Sequence, residues 1–79
     1  MPDSHGEPLD LEDLWAGILS RNTALIVQVW RALEREDRMH IWRHLHRMAH
    51  EAGWTEPQRV SARYALSALR SNRLAPDED

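Results

Sequence analysis

Histidines are the first candidates for chemistry in this sequence. Four of the five form two i, i+4 pairs, and that spacing puts both imidazoles of a pair on one face of a helix, where they can bind one ion. The pairs are His40/His44 and His46/His50. At about 100° per residue the two pairs point in different directions, and no third ligand follows at a recognisable spacing. We therefore predict no metal site and no cofactor, and we expect these histidines in solvent or at the edge of a core.

Catalytic groups are not arranged in any recognisable pattern. The sequence has no nucleophile with a base at a useful spacing, no Gly-rich phosphate loop and no carboxylate pair suited to acid–base work. Cysteine is absent, so thiolate chemistry and disulfides are excluded. A helical chain of 79 residues also rarely encloses a pocket of ligand size. We predict that the protein is not an enzyme.

Arginine provides every basic side chain, ten in all, and the charges are unevenly distributed. Residues 1–20 carry a net charge of −5, residues 21–76 carry +5 and residues 77–79 carry −3. Arginine forms planar, two-point contacts with carboxylates and phosphates. The basic middle of the chain therefore suits an anionic partner, although the amino-acid bias of a GC-rich genome would give the same composition.

Residues 48–63 resemble a helix-turn-helix, in which a small residue (Ala49) is followed four positions later by a glycine (Gly53), an apolar residue, a polar cap and a second helix. The resemblance implies nucleic-acid binding through residues 48–70. Its groove-facing side chains would be Gln58, Arg59, Ser61 and Arg63. Arg59 departs from the pattern because that position is usually apolar, and a net charge of −3 opposes phosphate binding. Nucleic-acid binding is the alternative function.

Apolar residues recur with helical spacing in four blocks, which predicts an all-α fold, a small bundle of four short helices. The expected helices are 10–20, 23–35, 38–52 and 56–71. Asn22 is expected to cap the second helix, and Thr55 with Gln58 forms a capping-box pattern before the fourth. Gly53 suits the left-handed turn that ends the third helix.

The boundary between the second and third helices is the least determined by local pattern. Nothing between Arg35 and Arg38 is Gly or Pro, so one continuous helix over 23–52 is an alternative. The apolar stripe shifts by about 90–100° between these blocks, however. We therefore predict a break near Glu36 and Asp37, with Asp37 as the new N-cap.

Two other features each have two interpretations. Gly17, inside the first predicted helix, either lets another helix approach closely or is tolerated at a cost of about 1 kcal/mol relative to Ala. The segment Val29–Arg35 repeats the order apolar–Trp–Arg–x–Leu–x–Arg of Ile41–Arg47. That echo is either a coincidence or a sign that two helices present equivalent Trp and Leu stripes to a shared core.

Both ends of the chain are acidic outside the helical domain, which we expect at residues 10–72. Residues 1–9 are expected to form a disordered arm and residues 73–79 an acidic tail. No apolar run approaches the ~20 residues of a membrane span, and the acidic, polar N-terminus is unlike a signal peptide. We expect a cytoplasmic protein that makes no membrane contact.

The second predicted helix carries more large apolar side chains than so short a chain needs for its core. Because small domains gain stability by association, we predict a helical protein–protein interaction module that self-associates as a homodimer or binds another subunit. The predicted interface residues are Leu25, Val27, Trp30 and Trp42, with Arg43 and Arg47 at the rim. The four tryptophans are expected mainly in the core, some of them completing their burial against a partner.

Overall fold

Four helices make up the computed structural model, which describes residues 11–76. They are α1 Leu11–Ile18, α2 Thr23–Arg31, α3 Arg35–His50 and α4 Glu56–Ser71. No strand occurs in this range, so the predicted all-α bundle of four helices is confirmed. The predicted arm at 1–9, the expected start of the first helix at Asp10 and residues 77–79 of the tail lie outside the described residues.

Each helix buries one face in a single core. Helix α4 packs against α3 and α2, and α1 packs against α2 and reaches α3 where the rings of Trp15 and His44 meet at 5.0 Å. The buried apolar side chains are Leu14, Ile18, Ile26, Val29, Trp30, Ile41, Trp42, Leu45, Met48, Ala49, Ala62, Ala65, Leu66, Ala68 and Leu69. Because α4 contributes three alanines to this set, its neighbours can approach its backbone closely.

The chain does break between the second and third helices, but earlier than predicted. Helix α2 ends at Arg31 and α3 begins after Glu34, so Asp37 lies in the first turn of α3 and is not its N-cap. Arg38 of α3 stabilises this break. Its Nε donates to the Trp30 carbonyl at 3.1 Å, and its Nη2 donates to the Arg31 carbonyl at 3.3 Å. Both carbonyls belong to the last turn of α2, and that of Trp30 also accepts from the Leu33 amide at 3.1 Å.

The turn between α3 and α4 follows most of the local sequence signals. Helix α3 ends at His50, two residues before the predicted end, and its C-cap Glu51 is extended, so Gly53 does not itself end the helix. Gly53 does adopt the left-handed conformation, with φ of 102°, within the turn that follows. The Thr55 hydroxyl accepts from the Gln58 amide at 3.3 Å, and the Gln58 side chain accepts from the Thr55 amide at 2.9 Å. The predicted capping box is therefore present, as is the predicted Asn22 cap on α2.

Helices α3 and α4 lie side by side and run in opposite directions. At the turn, the Arg59 guanidinium donates to the carbonyl of Glu51, just after α3, at 3.1 Å. At the far end, the Arg70 guanidinium in the last turn of α4 lies 5.3 Å from the ring centroid of Trp42, in the middle of α3. Contact at both ends of α4 describes an antiparallel helical hairpin.

Candidate interaction surfaces

The outer side of α2 carries no charge before Arg31, the last residue of the helix. Residues 22–30 contain no Asp, Glu, Arg or Lys. Ala24, Leu25 and Gln28 are exposed there, and Val27 is half-buried. Tyr64 of α4 adjoins this side, because its hydroxyl lies 3.0 Å from that of Thr23, one turn before Val27. We call Ala24, Leu25, Val27, Gln28 and Tyr64 the α2 face.

Two members of the α2 face are the most exposed large apolar side chains of residues 12–76. Leu25 is 37% exposed and Tyr64 is 38% exposed. The sequence pattern predicted Leu25 and Val27 at an interface but did not indicate Tyr64. The cores of protein interfaces are depleted in charged residues and enriched in aromatic ones, so the composition of the α2 face is that of a contact surface.

The tryptophans predicted at the interface lie elsewhere. Trp30 is 0% and Trp42 is 2% exposed, and their rings meet at 6.4 Å inside the chain. The Trp30 indole also donates to the Leu74 carbonyl at 3.0 Å. Neither residue is therefore an interface candidate, because the packing of α2, α3 and α4 around them already removes them from solvent.

The predicted rim arginines do not surround the α2 face. Arg43 and Arg47 are exposed on α3, one turn apart. Helix α2 meets α4 at Ser61 and Tyr64, whereas α3 meets α4 on the side of Arg59 and Arg70. These two sides of α4 are more than 100° apart on its circumference, so the apolar and the basic candidates form two separate surfaces.

A second surface follows the groove between α3 and α4. The Arg70 guanidinium lies 3.4 Å from Nε2 of His46, and the rings of His46 and His50 stack at 5.8 Å. Helical spacing aligns Arg63 with Arg59 and Arg70 within about 40° on the side of α4 that faces α3. We call this surface the basic seam. It comprises Arg43, His46, Arg47 and His50 from α3 and Arg59, Arg63 and Arg70 from α4.

No carboxylate is interspersed along the basic seam. Neither residues 38–50 nor residues 57–73 contain an Asp or Glu, and the nearest acids in sequence stand beyond the helix ends or in first turns. Within the described range, Arg43, Arg47 and Arg63 engage in no hydrogen bond or ion pair. Three guanidinium groups of the seam are therefore available to an anionic ligand.

The residues predicted to face a DNA groove are mostly engaged within the chain. Ser61 is 9% exposed and accepts from Nε of Arg21 at 3.0 Å, so it cannot read a base edge. Arg59 is half-buried on the Glu51 carbonyl, and Gln58 is folded back into the capping box. Only Arg63 of this set is both exposed and without a partner among the described residues.

The packing of α3 and α4 also differs from the helix-turn-helix that the sequence resembles. In that motif the second helix crosses the first at about 90–120° and projects into the groove. Here Arg70, fifteen residues after the Thr55 cap, still contacts α3 at Trp42. A helix that stays alongside its neighbour to its last turn does not project in this way.

The two histidine pairs differ: His46 and His50 stack on each other, whereas His40 and His44 have different surroundings. His44 lies between Trp15 and Trp54, with ring centroids 5.0 and 5.5 Å away, while its sequence partner His40 is exposed. His46 packs edge-on against Trp42 at 5.1 Å. In residues 11–76 no three His, Asp or Glu side chains form a group that could hold a metal ion.

Comparisons with known proteins give no match. The sequence fits no protein-family model, and neither curated proteins nor solved structures show a significant similarity to it. Among the described helices none is both long and apolar enough to cross a membrane. The two surfaces therefore have to be interpreted from their own chemistry.

Proposed function

We propose that this protein is a small non-enzymatic helical module that acts through protein–protein contact and self-associates as a homodimer through the α2 face. The observation that carries the proposal is the outer side of α2, which is partly apolar and uncharged before Arg31, with Leu25 and Tyr64 exposed at its edges. Burying such a face removes apolar area from water at about 25 cal/mol per Å², and a contact that leaves Arg31 at the end of the helix in solvent desolvates no charged group.

The size of α2 sets a condition on this dimer. Nine residues of helix extend about 14 Å, whereas a stable interface buries roughly 800 Å² on each partner. Neighbouring residues must therefore complete the contact, and Tyr64, held beside Thr23 by the contact of their hydroxyls, supplies part of that area from α4. A two-fold axis through the α2 face would bring the same residues together from both copies.

Two charges placed on the α2 face test the proposal. In about 0.15 M salt, which screens contacts between exposed charges, we expect the wild-type chain to sediment as a dimer and A24E/Q28E to sediment as a monomer with unchanged helical circular dichroism. Both side chains are exposed in the single chain and would become buried charges in the dimer. S67E/S71E is the matched control, since it adds the same charges at the same spacing on the exposed side of α4.

Two outcomes would contradict this proposal or relocate the interface. A wild-type chain that remains monomeric at about 1 mM, where even a contact worth roughly 4 kcal/mol would be half-formed, contradicts self-association. A dimer that survives A24E/Q28E but is lost in S67E/S71E moves the interface to α4. Binding of another subunit, nucleic-acid binding and the cytoplasmic location remain predictions, and the acid-free basic seam is the observation that supports an anionic ligand of some kind.

A further inference from the structure

The basic seam has no acidic side chain bonded to it within the described part of its own chain. Its arginines are spaced along two antiparallel helices, and Arg43, Arg47 and Arg63 have no bonded partner there. The proposed α2 contact does not use them, because α2 adjoins the other side of α4. A row of guanidinium groups without interspersed carboxylates attracts an acidic chain of similar length.

The chain itself contains such a segment. Residues 1–13 hold five carboxylates and no arginine or lysine. Glu12 and Asp13 belong to α1, where both are exposed and neither is bonded to another described residue. The five carboxylates match in number the five arginines of the seam.

We propose that the basic seam of one copy binds the acidic N-terminal segment, residues 1–13, of a second copy. Helix α1 packs near α3 on the side of His44, where Trp15 covers that ring. His46, which lines the seam, points about 160° away from His44 on the same helix. Arg47 lies between these two sides, about 60° from His44. Glu12 and Asp13 therefore start on the side of α3 away from His46 and α4, and do not lie along the whole seam of their own chain. A second copy can present all five carboxylates to it.

This contact is of a different kind from the proposed α2 dimer. The acidic segment and the seam are different surfaces of one molecule, so the contact is head-to-tail and links copies beyond a two-fold pair. It is made of exposed charges, so it weakens as salt shortens the Debye length from about 30 Å at 0.01 M to about 8 Å at 0.15 M. The α2 contact, being uncharged, should be insensitive to this change.

Nucleic acid is the other anionic ligand of comparable shape, and the charge of the whole chain disfavours it. A nucleic-acid-binding domain is generally basic, because Lys and Arg that neutralise phosphates release condensed counterions, and that release drives much of the binding. This chain has a net charge of −3, and its acidic ends repel a long polyanion. A short acidic segment contributes few charges and is repelled less.

A labelled peptide of residues 1–13 tests the contact directly. It is titrated at low salt with the full chain carrying A24E/Q28E, so that the result does not depend on the α2 dimer. We expect saturable binding that R47Q/R63Q weakens about tenfold, as the loss of two to three surface ion pairs would. The control is R31Q/R73Q, which removes the same two charges from exposed arginines outside the seam and should leave binding unchanged.

Further measurements distinguish the acidic segment of a second copy from the other ligands that could bind the seam. A peptide with Asn and Gln at its five acidic positions should not bind, and binding by it overturns the proposal. Random duplex DNA should bind more weakly than the peptide, and tighter DNA binding that R47Q/R63Q abolishes assigns the seam to nucleic acid instead. If deleting residues 1–10 exposes a peptide site that the complete monomer lacks, the chain's own segment is the occupant and the proposal is wrong.

Association of full-length chains provides the second readout. One variant keeps its acidic segment but has lost the three unbonded arginines of the seam (R43Q/R47Q/R63Q). The other keeps its seam but has a neutral segment (E12Q/D13N with D3N, E7Q and D10N). In the A24E/Q28E background each should be monomeric at low salt, and an equimolar mixture should give a one-to-one pair. A mixture that stays monomeric overturns the head-to-tail contact, whatever the fate of the α2 dimer.

Discussion

At the scale of single residues, Gly17 and Val29 set the separation of α1 and α2. A Cβ built on Gly17 would lie 2.7 Å from Cγ2 of Val29, which is shorter than two carbon atoms tolerate. Val29 is buried and β-branched, so it cannot easily swing aside. Of the two interpretations of Gly17 offered by the sequence, close approach of another helix is the one that the structure supports.

Substituting Gly17 tests that separation. We expect G17A to destabilise the fold by about 1–2 kcal/mol, since the overpacking cost of 1–3 kcal/mol exceeds the gain in helix propensity of up to ~1 kcal/mol. Urea unfolding measures the difference. The variant V29A, which removes the clashing methyl, should make G17A less harmful in the double variant than in wild type. A G17A chain as stable as wild type would show that α1 shifts freely.

Trp30 connects the core to the segment after α4. Its indole donates to the carbonyl of Leu74, whose amide in turn donates to the Leu69 carbonyl at 2.8 Å. We expect W30F to cost about 2–4 kcal/mol, because it leaves a cavity and an unpaired carbonyl together. Amide exchange at Leu74 should also accelerate. W15F, at a half-buried position, is the control and should cost less and leave Leu74 protected.

At the scale of elements, the separation of α2 from α3 depends on one long-reaching side chain. Arg38 lies in the second turn of α3 and bonds the last carbonyls of α2. The acids Glu36 and Asp37 occupy the first turn of α3, where they interact favourably with the positive end of the helix dipole. The two helices are therefore separate because each end has its own partners, although no Gly or Pro stands between them.

Removing the Arg38 guanidinium should loosen this break. We expect R38M, which keeps the apolar stem, to lose about 1 kcal/mol of stability and to increase amide exchange in the last turn of α2. R35M is the matched control, because Arg35 is exposed and unbonded among the described residues. Its positive charge stands at a helix N-terminus, so its loss should be neutral or stabilising by up to ~0.5 kcal/mol. Equal effects of the two substitutions would contradict the capping role of Arg38.

The structure also shows where the two segments of the sequence echo, Val29–Arg35 and Ile41–Arg47, lie relative to each other. Its two tryptophans meet in the core at 6.4 Å, and the arginine that follows each of them is exposed. The two helices therefore present equivalent faces to one core over Val29–Arg31 and Ile41–Arg43, whereas Leu33 lies after the end of α2 and does not match Leu45. Whether the echo arose by duplication or by chance has no bearing on this packing.

At the scale of the whole molecule, a domain of this length has a small core and gains by association. Dimerisation through the α2 face couples folding to concentration, because unfolding one dimer releases two chains. We expect the midpoint of thermal unfolding to rise by about 5–10 °C over a hundredfold range of concentration. Calorimetry of wild type against A24E/Q28E checks this, and the variant should show a constant midpoint. A wild-type midpoint that does not move would contradict the dimer.

The sequence by itself determined the four helices and placed most of their ends to within two residues. Helical periodicity is a local property, and so are the Asn22 cap, the Thr55–Gln58 box and the left-handed Gly53, each of which involves groups within a few residues of one another. The end of α2 was placed wrongly because its partner, Arg38, lies seven and eight residues further along the chain. Nothing in the local pattern marks that side chain as a cap.

Only the tertiary structure decided which exposed groups share a surface. An apolar stripe looks the same in sequence whether its own chain or a second one covers it, so Trp30 and Trp42 were assigned to an interface although the bundle buries both. The basic seam draws its arginines from positions up to 27 residues apart, Arg43 to Arg70. They adjoin because α3 and α4 pack antiparallel, and that arrangement results from burying both apolar faces at once, which no single helix specifies.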